Sequence, residues 1–209
     1  MNLTSLADPP VEIVYPDSDG KPLADNTVQW NWMVMIVGEL RDHFAGQDVF
    51  VAGDLLWYPV EGQPRINAAP DAMVAFGRPT GDRGSYRQWQ EGGVAPQVVF
   101  EVVSPSNTDD ELDAKLGFYE RYGVEEYYLI DPDEPAVEAY VRSGKRLIRV
   151  RRLADFASAR LGIRFEKPDG ELRILNSQGR PFRPREDVTA ENRRLAQKLR
   201  ELDVDPDAL

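Results

Sequence analysis

The run QVVFEVVS, residues 97–104, restricts the fold of this chain more than any other stretch. Val98, Val99, Phe100, Val102 and Val103 flank a single charge, Glu101. A run that is apolar at consecutive positions, rather than alternating ones, belongs to a strand covered on both faces. A carboxylate in the middle of such a strand is costly unless a partner meets it. The residues that follow, SPSNTDDE, supply helix-start chemistry. Ser106, Asn107 and Thr108 are competent caps, and Asp109, Asp110 and Glu111 suit the positive end of a helix dipole. Leu112, Leu116 and Tyr119 then recur at helical spacing, Gly123 stands where that helix should end, and residues 124–132 (VEEYYLIDP) return to strand. Strand, helix and strand in this order predict a βαβ crossover.

The rest of the chain arranges itself around this unit. Residues 1–10 end in Asp-Pro-Pro and are expected to be loose. Residues 11–16 (VEIVYP) read as a short strand, and 16–26 as turns. A helix capped by Asp25 or Asn26 follows, with Met33, Ile36, Val37, Leu40 and Phe44 on one stripe and Gly46 at its end. Residues 48–60 read as a strand bent at Gly53. A second strand begins after Pro70-Asp71. Residues 79–95 form a long polar connection, in which Arg83, Tyr86, Arg87 and Trp89 suit either substrate contact or plain surface packing. Two hairpins are expected. One is turned by Ser143-Gly144; the other spans 160–176 and is turned by Pro168-Asp169-Gly170. The expected organisation is a loose N-terminus over 1–10, one domain over 11–182 and a C-terminal helix within 183–209.

The 209 residues suffice for one well-filled domain. There is no Cys, which excludes disulfides and thiol chemistry, and His43 is the only histidine. No run of eighteen apolar residues exists and the N-terminus lacks the form of a signal peptide, so the expectation is a cytoplasmic chain with no membrane partner. The net charge of −11 repels nucleic acid globally. The charge is uneven, however. Between residues 141 and 164, Arg142, Lys145, Arg146, Arg149, Arg151, Arg152, Arg160 and Arg164 face only Asp155. That segment can meet a phosphate backbone; it can equally be a solvated hairpin face or a subunit interface.

Three charged residues draw attention because each belongs to a separate element. Asp71 opens one apolar strand, Glu101 lies within another, and Lys115 sits on the following helix, beside the face directed at the sheet. Hydrolysis of a phosphodiester needs a divalent cation to activate water, oxygen ligands to hold it, and a further cation for the charge that develops. Asp71 and Glu101 can be the carboxylates, the Val102 carbonyl a third oxygen ligand, and Lys115 the added cation. The residues also admit a plain reading, in which Asp71 caps a strand, Glu101 pairs with an arginine and Lys115 is solvated. Glu39 and His43, four apart on the first helix, can share a metal or lie at the surface.

The order Pro70-Asp71, Glu101 in VVFEVVSPSN and Lys115 in DAKLGFYERYGVEEYYLIDP resembles the Uma-type restriction endonuclease family common in cyanobacteria, a branch of the PD-(D/E)XK nuclease superfamily. YPDSDGKPLADN, VFVAGDLLWYPVEG and RLGIRF extend the likeness to roughly residues 11–178. The resemblance implies an α/β (α+β) chain with a restriction-endonuclease-like core, a mixed sheet flanked by helices, with additional β-hairpins. It also implies a site of Asp71, Glu101 and Lys115 that uses Mg²⁺ or Mn²⁺, and Glu39 as an added first-helix ligand. The superfamily usually carries its lysine two residues after the acid. Here that position is Val103, and Lys115 is the expected substitute. The function so implied is endonucleolytic cleavage of DNA. Arg142, Lys145, Arg146, Arg149, Arg151 and Arg152 are the candidate DNA contacts, and a homodimer would allow two cuts. The alternative is a non-catalytic binding or scaffold protein on the same fold.

Overall fold

The computed structural model of the chain describes residues 13–20, 22–201 and 205. The loose stretch expected over 1–10, and the first two residues of the strand expected over 11–16, lie outside the described residues. Residues 13–16 are not a strand. Tyr15 instead meets the Tyr58 ring edge-on at 5.3 Å and lies 5.0 Å from the Trp89 ring. Ring packing, rather than ladder hydrogen bonds, attaches this segment.

Helix α1, Thr27–His43, begins at Asn26, whose side chain accepts a hydrogen bond from the Gln29 main-chain N–H. Met33, Ile36 and Leu40 form its buried stripe, as their spacing requires. Strand β1, Val49–Ala52, leads to the short β2, Trp57–Tyr58. The expected single strand is therefore split. The break is at Gly53-Asp54, where Asp54 takes a left-handed backbone conformation with φ 49°. Strands β3 (Ala72–Phe76), β4 (Tyr86–Arg87) and β5 (Val98–Val102) follow, then helix α2 (Asp109–Tyr122) and β6 (Glu126–Asp131). Two hairpins come next: β7 (Ala136–Ser143) with β8 (Arg146–Arg149), and β9 (Arg164–Glu166) with β10 (Arg173–Leu175). Helix α3 is Arg185–Glu201. Among the described residues, no helix is long and apolar enough to cross a membrane.

Six strands make a mixed sheet in the order β1-β3-β5-β6-β7-β8. Within this sheet, among the described residues, only β5 and β6 pair in parallel, joined through α2 as the βαβ reading requires. All five residues of β5 are buried. Val98, Phe100 and Val102 point to the face covered by α1 and the β9–β10 hairpin, where they meet Ile36, Leu161 and Phe165. Val99 points to the opposite face, with Tyr119, Trp57 and Tyr127. By the same alternation Glu101 faces α2. The result is an α/β fold in which a mixed sheet is flanked by helices.

The 79–95 connection is packed down over much of its length. Arg83 places its guanidinium 3.9 Å from the Phe50 ring centroid and pairs with Glu91 at 2.6 Å. Tyr86 lies in β4 and is fully buried. These residues, with Arg87 and Trp89 against Tyr15, hold the loop to the domain rather than offering themselves to a ligand.

Gly53 shows how closely β1 approaches the start of β3. A Cβ there would stand 2.9 Å from both the Asp71 main-chain oxygen and the Val37 side chain. Gly53→Ala is expected to lower unfolding free energy by about 1–3 kcal/mol in chemical denaturation, the usual effect of overpacking. An unchanged midpoint would show that the contact relaxes without strain.

Candidate active site

The sheet register brings the two carboxylates together. Strands β3 and β5 are antiparallel, with Ala72 opposite Phe100. One further step sets Asp71 opposite Glu101, with both side chains on one face. Strand β3 starts only at Ala72, so the Asp71 side chain takes over part of the ladder: its Oδ2 accepts the Val102 N–H at 2.6 Å. Asp71 is 8% exposed and Glu101 2%.

Helix α2 supplies the partners of Glu101. Thr108 and Glu111 close a reciprocal capping box at its start, and Gly123, with φ 101°, ends it. The helix is thereby fixed at both ends. Lys115 and Tyr119, one turn apart, both point at the sheet. Lys115 Nζ lies 2.6 Å from Glu101 Oε2, and the Tyr119 hydroxyl donates to Glu101 Oε1. Sequence reasoning counted Tyr119 only as an apolar stripe residue; its hydroxyl gave no separate signal. Burial and the Glu101 charge hold the Tyr119 pKa well above the ordinary tyrosine value, so it remains a donor.

Burial drives the Asp71 carboxyl from its ordinary 3.8 to about 7, and the Glu101 charge adds to the shift. The Val102 N–H and the Lys115 ammonium pull in the other direction. Burial lowers the Lys115 pKa, but the Glu101 charge and hydrogen bond outweigh it and the net shift is upward. Lys115 is therefore an ammonium at neutral pH, not a base. Asp54, which no motif singled out, is raised to about 6 by burial and by the charges of Asp19 and Glu101. Its main-chain N–H donates to the Pro70 carbonyl, which ties it to the residue before Asp71.

A cavity of about 530 Å³ opens over this group, lined by Asp54, Asp71, Lys115, Gln29, Asn107 and Ser106 among others. No three His, Cys, Asp or Glu side chains among the described residues gather in metal-ligand geometry. A cation held here would depend on the two carboxylates Asp71 and Glu101, the Val102 carbonyl and water. That sparse, all-oxygen set fits Mg²⁺ or Mn²⁺, which commonly take one or two protein carboxylates and keep several waters. Each carboxylate oxygen keeps lone pairs beyond those used by Lys115, Tyr119 and Val102. The like-charge repulsion between Asp71 and Glu101 is also what a divalent ion relieves.

Two sequence-derived assignments do not join this group. Glu39 is ten residues along α1 from Gln29, the α1 residue that lines the cavity, a rise of about 15 Å. Its carboxylate accepts the Arg183 main-chain N–H instead. His43, its proposed metal-sharing neighbour, lies in the same distant crevice with Asn176 and Arg180. The basic hairpin is likewise displaced and largely neutralised. Strand β8 lies three strands from β5, about 14 Å. Arg142 donates to the Val124, Tyr119 and Glu120 carbonyls, capping the end of α2. Arg146 pairs with Glu120 and Arg149 with Glu138. Lys145, Arg151 and Arg152 are exposed, and none of them forms an ion pair among the described residues.

The raised pKa of Asp71 ties stability to pH with a definite sign. The folded chain holds this proton more tightly than the unfolded chain, so the associated stability is full below about pH 4 and is lost as pH rises to about 7. Asp71→Asn keeps an acceptor for the Val102 N–H but cannot ionise. In the presence of chelator, its unfolding free energy relative to wild type is expected to rise between pH 4 and pH 8, by roughly 4 kcal/mol at most. Parallel stability profiles for the two proteins across this range would contradict the assignment.

Residues 31–166, about two thirds of the chain, match the Uma2 family, described as "Putative restriction endonuclease". No curated protein matches. Among solved structures, one of a putative nuclease belonging to DUF820 from Anabaena variabilis ATCC 29413, at 1.96 Å resolution, is similar to this chain at 14% identity and a TM-score of 0.45, covering 62% of this chain and 71% of that one. With the family match extending from the first helix through the β9 strand, the chain belongs to the Uma2 family.

Proposed function

We propose that this protein is an endonuclease that hydrolyses DNA phosphodiester bonds with Mg²⁺, or Mn²⁺ in its place, at Asp71, Glu101 and Lys115. The observation that carries the reading is the convergence at Glu101. The lysine absent from position 103 has a counterpart on α2 whose amine lies 2.6 Å from the Glu101 carboxylate. Asp71, Glu101 and the Val102 carbonyl would hold the cation, which supplies Lewis-acid charge and makes a bound water acidic.

The side chains of the chain divide the remaining tasks. Tyr119 and Lys115 fix the rotamer of Glu101 from opposite oxygens, so that carboxylate enters the reaction already oriented. The Lys115 ammonium, a third exposed, faces the cavity and can stabilise charge that grows on a phosphoryl oxygen. The cavity is otherwise acidic, with Asp19, Asp25, Asp54 and Glu111 along its lining. A phosphate is repelled from such a wall unless positive charge is added, so substrate binding and cation binding are coupled in this reading. The second reading, a non-catalytic binding protein, draws support from the hairpin, where Arg142, Arg146 and Arg149 are committed within the chain.

Supercoiled plasmid with Mg²⁺ or Mn²⁺ tests the proposal. Nicking is expected from wild type. Asp71→Ala and Glu101→Ala should lose at least about 10³-fold, and Lys115→Met about 10²-fold, on the scale of removing one charge-stabilising group. Equal nicking by wild type and Asp71→Ala would remove Asp71 from the chemistry.

A further inference from the structure

Gln29 is buried to 8% exposure in the first turn of α1, and its amide can be oriented without ambiguity. Its Oε1 accepts the Asp25 main-chain N–H at 2.8 Å. A main-chain N–H can only donate, so the oxygen end is fixed there and the NH₂ end faces the sheet. There it donates to the Val102 carbonyl at 3.1 Å, and Gln29 lines the same cavity as Asp71, whose charged form it favours.

Val102 O and Asp71 are two of the three oxygen ligands assigned to the cation. Buried acceptors of this kind require a hydrogen-bond donor or a cation. The NH₂ of Gln29 is one for the Val102 carbonyl, and a cation would be another for the same oxygen. We infer that Gln29 is a placeholder for the divalent cation: its amide must withdraw from the Val102 carbonyl before the ion can bind between that carbonyl and Asp71. The inference rests on the cation-dependent reading above. Withdrawal is a side-chain movement. Asp25, which carries the other end of the amide, is itself anchored to the β5–α2 loop, its carboxylate accepting the Ser104 hydroxyl at 2.5 Å and the Ser106 hydroxyl.

The sign of one measurement decides the matter. A residue that positions Val102 for the ion would, when replaced, weaken cation binding; a placeholder would, when replaced, strengthen it. Calorimetric titration of Mn²⁺ into the full chain, without nucleic acid, should show Gln29→Met and Gln29→Ala binding about tenfold more tightly than wild type, the equivalent of one buried hydrogen bond no longer displaced. Gln29→Met keeps the length and burial of the side chain and decides the case if Gln29→Ala fails to fold. Unchanged or weaker binding in Gln29→Met overturns the inference. Asp71→Ala is the separate control: if it binds Mn²⁺ as wild type does, the cation site itself is misplaced.

Discussion

A carboxylate in the centre of a sheet is the constraint from which the rest of this molecule follows. Glu101 lies on a strand buried along its whole length, so its charge has to be met within the protein. Lys115 and Tyr119 meet it from α2, and this pairing fixes the rotation of α2 about its axis and its depth on the sheet. The parallel partner β6, the capping of α2 by Arg142 and the aromatic layer of Trp57, Tyr119 and Tyr127 all assemble around that placement. A buried ion pair contributes little net stability, since desolvation offsets most of the attraction. Its value here is specificity: it allows one orientation of helix on sheet.

The opposite face is organised by a different principle. Val98, Phe100 and Val102 meet α1 and the β9–β10 hairpin through apolar contact, which tolerates many arrangements. Polar links supply the register there. Gln29 reaches from α1 to the end of β5, and Asp25 reaches to Ser104 and Ser106 beyond it. Both faces are therefore referenced to the same point, the C-terminal end of β5, where the candidate site opens.

Much of this was legible in the sequence because it depends on periodicity and local chemistry. The continuous apolar run, the caps around Thr108, Gly123 and the two hairpin turns all produced elements where their patterns placed them. The direction of Lys115 toward the sheet was also legible, since four residues separate it from Tyr119 on one helical face. What escaped notice depends on long-range pairing. Gln29 looks like any amide in a first helical turn until the fold brings Val102, 73 residues away, to its NH₂. Arg142 reads as surface charge until the end of α2 presents it with carbonyls. Glu39 shares the first helix with Gln29, but the rise per residue along α1 carries it too far from the candidate site. Residues 13–16 have strand composition, yet their aromatic ring finds better contact in Tyr58 and Trp89 than their backbone finds in a ladder.

The placement of Lys115 on α2, across from Glu101 on the sheet, has a mechanical consequence. When acid and lysine share a strand, they form one rigid body and their separation is set by covalent geometry. With Glu101 on the sheet and Lys115 on α2, the separation becomes a property of the interface between two bodies. That interface is aromatic: Trp57 stands edge-on to Phe118 and parallel to Tyr119. The distance between ammonium and carboxylate is thus governed by ring packing within that interface, and a small shift of α2 across those rings would retune the electrostatics of the candidate site without moving either carboxylate.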